Sequence, residues 1–429
     1  MTAGLRITHE GALRRFPQET GGQGGNGVMT EHKQSGTWLR ALMAALLLTA
    51  VSACGTNMPR LDDAPSTSYA TPVGYKGIRY WGDAELKKFN EVSALRLEQV
   101  RAAHAKDPAV PLDHAYYLAV SGGGGDGAFG AGLLAGWSKA GTRPQFEVVT
   151  GISTGALTAP YAFLGPAYDD KLKEVYTTIS DKDVMRNTGP LGAVFGSSLS
   201  DNSPLKALVA KHVTAELIER IAQENAKGRR LLVGTTNLDA QRPVVWDMTA
   251  IAASGNPDRV QLFRDVLIAS AAIPGIFPPQ LIRVQADGKL YEELHVDGGT
   301  TTQAFLLSAE NSLKELDKAL KFPRKRDLYV IMNGTFAPQA EKTETKTLAI
   351  ATRSISTLIK NQSIGDAYKM YAQSERDGVA FHLASIPASF DGKARSEFDQ
   401  AYMRKLYDLG YSLGQGPGAW ENEPPDFDK

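Results

Sequence analysis

Three stretches of this chain hold residues arranged for acyl chemistry. Gly151-Ile152-Ser153-Thr154-Gly155 follows Phe146-Glu147-Val148-Val149-Thr150, which reads as a buried strand, and leads into residues that read as the opening of a helix. Strand, Gly-x-Ser-x-Gly, helix is the order of a nucleophile elbow, a turn tight enough to lift a serine hydroxyl above a sheet edge. Gly151 and Gly155 suit such a turn because neighbouring backbone passes too close for a Cβ. Alone, the pentapeptide also fits a small-residue turn after any strand.

The second stretch is Ser121-Gly122-Gly123-Gly124-Gly125-Asp126-Gly127, directly after the apolar run Ala115 to Val120. Four consecutive glycines at the start of a helix can turn their N–H groups inward, a nest for an anion or a developing oxyanion. A nucleotide P-loop is a poor fit, since no lysine follows until Lys139. Gly122, Gly124 and Gly127 also satisfy a dinucleotide fingerprint, and that alternative stands beside the oxyanion reading.

The third stretch, Leu294-His295-Val296-Asp297-Gly298-Gly299, sets a carboxylate at the end of a strand against a glycine turn. His295 lies two residues before Asp297, on the same side of that strand. A Ser-His-Asp triad is therefore a rival to direct Ser-Asp chemistry; otherwise His295 hydrogen-bonds a neighbouring loop. His114, His212 and His382 carry no motif. No H-E-x-x-H spacing occurs, and no metal or cofactor is called for.

These residues need a scaffold that presents strand ends. Strands are expected at 115–120, 146–150, 231–236, 243–247, 294–297, 328–332 and 379–383, with helices at 83–105, 266–272, 346–372 and 394–413. Residues 165–205 read as a loop-rich cap over an apolar cleft. Strands separated by helices imply an α/β layered sheet with its chemistry at the carboxyl ends of the strands. There is no internal repeat. The chain of 429 residues, 42% hydrophobic, can bury a sizeable core. Lys+Arg and Asp+Glu are both 47, which gives no charge excess to draw a nucleic acid.

The front end reads differently. Residues 1–28 are polar and glycine-rich and fit a disordered leader, with Met29 as the true start. His32, Lys33 and Arg40 make a basic region, and Ala41 to Val51 an apolar one of about eleven residues. That is too short to span roughly 30 Å of hydrocarbon, so a signal peptide is expected. Val51-Ser52-Ala53-Cys54 resembles the lipobox of bacterial lipoproteins, and Cys54 is the only cysteine. The resemblance implies cleavage before Cys54, its lipidation and anchoring in the bacterial cell envelope. Gly55 rather than Asp after Cys54 points to the outer membrane. The expected divisions are a leader over 1–53, a tether and helix over 54–113, a catalytic domain over 114–415 and a frayed tail over 416–429.

With the glycine loop, Ser153 and Asp297 in view, residues 115–335 resemble the patatin-like phospholipases, a family of lipid acyl hydrolases. Ser270-Ala271-Ala272-Ile273-Pro274 and Phe277-Pro278-Pro279 also look like the family's stretch before its catalytic aspartate. The resemblance implies a three-layer patatin-like α/β sandwich with a mostly parallel central sheet. It also implies a Ser153–Asp297 dyad, an acyl-enzyme and an oxyanion hole from Gly122, Gly123, Gly124, Gly125 and Gly127. A membrane lipid would be the substrate. One departure stands out: Asp126 occupies a position where members commonly have Arg or Lys. The expectation is that Asp126 faces solvent or caps the following helix. Should its charge oppose the oxyanion, the chain would be an anchored lipid-binding protein with little or no activity.

Overall fold

The computed structural model describes residues 60–62, 70–86, 88–187, 198 and 200–425. The leader, the signal-peptide segment and Cys54 lie outside the described residues. The strands of the main sheet are β1 (Thr71–Pro72), β2 (Arg79–Trp81), β3 (His114–Val120), β4 (Val148–Ile152), β5 (Arg230–Asn237), β6 (Arg242–Asp247), β7 (Gln280–Ala286), β8 (Lys289–Asp297), β9 (Lys325–Met332) and β10 (Ala380–Ser385). The principal helices are α1 (Phe89–Lys106), α2 (Gly127–Lys139), α3 (Thr154–Leu164), α4 (Asp169–Thr178), α5 (Ser203–His212), α6 (Ala215–Asn225), α7 (Arg259–Ser270), α8 (Leu313–Leu320), α9 (Thr347–Asp377) and α10 (Gln400–Gly414).

The sheet runs β1-β7-β8-β5-β4-β3-β9-β10, with β6 pairing β5 and β2 pairing β6. Its middle block, β5-β4-β3-β9-β10, is parallel. Around it, β8, β7, β1, β6 and β2 join antiparallel. The molecule is thus an α/β sandwich on a mixed central sheet.

Side-chain alternation builds the layers. Along β3, Leu118 and Val120 enter one apolar cluster, with Phe129 of α2 and Ala159 of α3. Ala115, Tyr117 and Ala119 enter another, with Leu313 and Leu316 of α8 and Met370 of α9. A strand buried on both faces reads as a continuous apolar run, as residues 115–120 do. On the first face α2 and α10 cross at backbone contact. A Cβ on Gly132 would lie 2.0 Å from Tyr407 O, and one on Gly410 2.2 Å from Phe129 O. The glycines of α2 therefore serve packing as well as the loop before it.

Four expectations are corrected. The boundary at 113/114 does not exist, because β1 and β2 join the sheet and α1 covers its second face. Residues 70–81 are strand and turn, not tether. The tail is not frayed over 416–425: Trp420 packs on Trp137 and Tyr329, and Glu421 bridges Leu383. The region 165–205 holds α4 and the start of α5 instead of open loop, with residues 188–197 and 199 outside the described residues. Strand β7 was not foreseen, although Ile282, Val284 and Ala286 point inward at every second position.

Candidate active site

Ser153 stands where β4 turns into α3. Its backbone lies at φ 55°, ψ −124°, strain of roughly 1–3 kcal/mol for a residue with a side chain. Two features hold it there. A Cβ on Gly151 would lie 2.4 Å from Gly155 O, and one on Gly155 2.2 Å from Val120 O, so the turn closes only with glycine at both places. The Ser153 N–H donates to Ser270 Oγ at 3.0 Å, and the Ser270 hydroxyl donates to Gly234 O at 2.7 Å. The elbow expected from sequence is present, and Ser153 is 6% exposed.

Asp297 ends β8 opposite Thr235 of β5. Gly298 follows it because a Cβ there would sit 2.5 Å from Gly234 O. The same carbonyl therefore receives Ser270, which holds the serine turn, and packs against the aspartate turn. Asp297 Oδ1 accepts the Gly299 N–H at 2.7 Å, while Oδ2 is buried without a well-formed hydrogen bond. Burial pushes the Asp297 carboxyl up to about 7, against the pull of the Ser153 hydroxyl and the Gly299 N–H. Ser153 thus acts on Asp297 although their geometry falls short of a good bond, a looseness common before substrate tightens a site.

The glycine loop lies beside both groups. A Cβ on Gly122 would be 3.2 Å from Ser153 Cβ and 3.2 Å from Gln303 Oε1. Its five glycines do not all offer a free donor, which corrects the reading of Gly122 and Gly127. The Gly122 N–H donates to Gln303 O at 3.3 Å, and the Gly127 N–H to Gly124 O and Gly125 O as the helix begins. Gly127 is glycine for another reason, since a Cβ would sit 2.3 Å from Thr154 Oγ1. Among the described residues the N–H groups of Gly123, Gly124 and Gly125 meet no hydrogen-bond acceptor. Gly123 and Gly124 sit at φ 145° and 53°, conformations that favour glycine.

Several residues that sequence did not single out fix this loop. Asn333, just after β9, donates its N–H to Ser121 Oγ at 2.8 Å and its Nδ2 to Ser121 O at 3.0 Å. Asn333 Oδ1 accepts the Gly130 N–H at 3.1 Å. Gln303 Nε2 donates to Gly299 O at 2.8 Å, which joins the aspartate turn to the glycine loop. Asp366 of α9 accepts the Gln303 N–H at 2.6 Å and the Thr302 hydroxyl at 2.9 Å. No local motif marks Gln303 or Asn333: Asn333 binds Ser121 more than 200 residues away, and Gln303 reaches Gly299 across a turn and Gln362 on α9. Ser270 alone had a signal, as the first residue of Ser270-Ala271-Ala272-Ile273-Pro274.

Asp126 is only half-buried, and it is not a cap. Its side chain makes no capping hydrogen bond; Oδ1 accepts the Tyr402 hydroxyl at 2.8 Å. Burial pushes its carboxyl up to about 6, the Tyr402 hydroxyl opposes this, and Glu397 adds to the rise. Glu397 Oε1 itself would lie 2.0 Å from a Cβ on Gly124. Two carboxyl groups therefore crowd the outer side of the loop.

The histidines stay away from the dyad. His295 is fully buried, with Nδ1 bonded to Thr235 Oγ1 at 3.0 Å and Nε2 to Glu293 Oε2 at 3.1 Å. Burial holds its pKa below the ordinary value, against the pull of Glu293. Its bonds go to strand residues and not to a loop. His114 and His382 share the Asp327 carboxylate near the amino ends of β3, β9 and β10, away from the serine. His212 closes α5. Among the described residues no three His, Cys, Asp or Glu side chains converge to hold a metal ion. A cavity of about 140 Å³ opens among Glu147, Val148, Arg230 and Leu316, at the amino ends of β4 and β5. It is remote from the chemistry at their carboxyl ends and takes no part in positioning Ser153.

No curated protein matches the chain. Among solved structures, VipD from Legionella pneumophila is 14% identical, with 71% of this chain and 67% of that one covered and a TM-score of 0.31. Human GIVD cytosolic phospholipase A2 is 10% identical, with 79% and 64% covered and a TM-score of 0.33. The chain thus spans about two thirds of the length of each. The patatin-like phospholipase family model matches residues 118–309, a span that includes the glycine loop, Ser153 and Asp297. Residues 118–309 are thus similar to the patatin-like phospholipase domain, a likeness that supports a lipid acyl hydrolase in general.

Proposed function

We propose that the protein is a serine acyl hydrolase that cleaves fatty-acyl esters of phospholipids or related lipids through Ser153 and Asp297. One observation carries the reading: a buried carboxyl poised near neutrality, with a free Oδ2, beside a serine hydroxyl on a strained turn. Ser153 Oγ attacks the ester carbonyl carbon as its proton passes to Asp297 Oδ2. The oxyanion is stabilised by N–H groups of Gly123, Gly124 and Gly125. Collapse expels the alcohol, which takes the proton from Asp297 and leaves an acyl-serine. Water then attacks the acyl carbon and gives its proton to Asp297. A second collapse frees the fatty acid and returns the proton to Ser153 Oγ. One oxyanion donor contributes about 3 kcal/mol to such a barrier.

Asp126 favours a second reading. Its carboxylate, beside Glu397 and close to the glycine loop, opposes negative charge once ionised. A protein so arranged would bind lipid with little turnover. Initial rates on a panel of phospholipids, lysophospholipids and neutral esters separate the two. Turnover abolished by Ser153→Ala supports the hydrolase; binding without turnover supports the second reading.

The anchoring reading of Cys54 belongs to the same proposal. Mass spectrometry of the mature N-terminal peptide should find an acylated Cys54, and an unmodified Cys54 within an uncut chain would overturn that part.

A further inference from the structure

Helix α9 is buried along part of its length and bare along the rest. At Gln362 and Asp366 it holds the loop beside the site: Gln362 Oε1 accepts Gln303 Nε2 at 3.0 Å, and Asp366 accepts the Gln303 N–H. Counting back by three and four along that stripe reaches Ile359, Leu358 and Ile355, which share a helix face with Gln362. Leu358 is 70% exposed, Ile355 54%, Ile350 49% and Ile359 40%. The other side of the same turns is tied down, since Lys360 Nζ donates to Ala337 O and Arg353 to Glu341 at 3.2 Å. The face that touches the catalytic loop therefore continues as an uncovered aliphatic stripe.

Charge points the same way. Residues 338–361 hold four basic side chains, Lys342, Lys346, Arg353 and Lys360, against two acidic ones, Glu341 and Glu344. Glu344 pairs with Lys346, and Glu341 with Arg353. Within 347–361 every charged residue is basic. Arg353 and Lys360 lie on the far side of the helix from the stripe. The segment's net excess of two basic side chains, with no acidic one within 347–361, suits the exposed aliphatics to the headgroup region of an anionic bilayer. Its fifteen residues extend about 22 Å, and among the described residues no helix is long and apolar enough to cross a membrane.

We propose that residues 347–361 of α9 rest in the surface of an anionic lipid bilayer, with Ile355, Leu358 and Ile359 immersed. The loop of Gln303, and with it Ser153, is then presented to lipid at the interface. This rests on the hydrolase reading for its purpose but not for its test.

The fluorescence measurement needs no turnover. In the full-length Cys54→Ser chain, an environment-sensitive nitrobenzoxadiazole label is placed at Leu358→Cys or, as a control, at the exposed Lys405→Cys. Vesicles of phosphatidylglycerol and phosphatidylcholine should brighten and blue-shift the label at 358 severalfold and leave that at 405 unchanged. No response at 358 overturns the proposal. So does a label already in apolar surroundings without vesicles, which assigns the face to a second copy or to another part of this chain. In a second arm, Ile355→Gln with Leu358→Gln should lower hydrolysis of vesicle lipid roughly tenfold. Hydrolysis of a water-soluble ester should stay within about twofold, and equal loss on both substrates overturns the proposal. A wild-type protein inert on every ester would sink the hydrolase reading while the fluorescence response still decided the docking.

Discussion

The Ser270 hydroxyl accepts the Ser153 N–H at 3.0 Å, which ties the strained nucleophile turn to β5 through Gly234 O. Ser270 is fully buried, so its loss would leave the Ser153 N–H without a partner. Ser270→Ala should cost about 1–3 kcal/mol of stability. It should also lower kcat at temperatures where the variant remains folded, because the turn can relax from its strained backbone. Denaturant unfolding and ester kinetics on one preparation check both, and unchanged kcat in a destabilised variant would make Ser270 purely structural.

Asp297 links activity to pH and to stability with opposite signs. Burial raises its carboxyl from 3.8 to about 7, so the base is lost as pH falls. kcat/KM should drop about tenfold per unit below pH 7. The folded chain holds this proton more tightly than the unfolded chain does. The stability that the group contributes is complete below about pH 4 and is lost as pH rises towards 7. Asp297→Asn should abolish turnover yet match wild-type stability at pH 4 and exceed it at pH 8 by up to about 4 kcal/mol. A less stable Asp297→Asn at pH 8 would contradict this.

His295 should matter for folding and not for chemistry. It lies between Thr235 and Glu293, and Glu293 also receives Arg79. Burial works to raise Glu293, but the hydrogen bonds from His295 and Arg79 hold its carboxyl at about 2. His295→Ala should lose roughly 1–3 kcal/mol of stability with kcat retained in the folded fraction. An activity loss equal to that of Asp297→Asn, at full stability, would restore the histidine triad.

Asp126 should restrain the enzyme above pH 6, where its carboxyl ionises beside the glycine loop. Asp126→Asn removes that charge and keeps an acceptor for the Tyr402 hydroxyl. kcat at pH 8 should rise about fivefold, as expected when one nearby like charge is removed from a partly screened site. A fall in kcat would show that the carboxylate assists turnover.

Much of the chemistry was legible because it is local. The elbow around Ser153, the glycine loop and the strand end at Asp297 are each set by a few consecutive residues, and the structure builds all three. The contacts of Asn333 and Gln303 were not legible, since they bind backbone more than 200 residues away or across a turn. The same limit hid the fate of Asp126, whose partner Tyr402 sits on the final helix. For α1 the apolar spacing was read, but Val92 and Leu95 face outward while Leu97 and Val100 are buried. The alternation in β7 is masked by Pro278-Pro279 just before it and by Gln280, Arg283 and Gln285 within a short strand.

The central claim is that Ser153 is a nucleophile activated by Asp297, and covalent labelling with a fluorophosphonate tests it most directly. The phosphonyl oxygen occupies the place of an ester oxyanion, so reaction requires nucleophile, base and donors together. The account predicts one label per chain, located on Ser153 by peptide mass spectrometry and absent from Ser153→Ala. The labelling rate should climb as pH rises to about 7 and level off above it, and it should collapse in Asp297→Asn. A folded protein that takes no label at Ser153 from pH 5 to 9, or that labels equally fast without Asp297, would contradict the account.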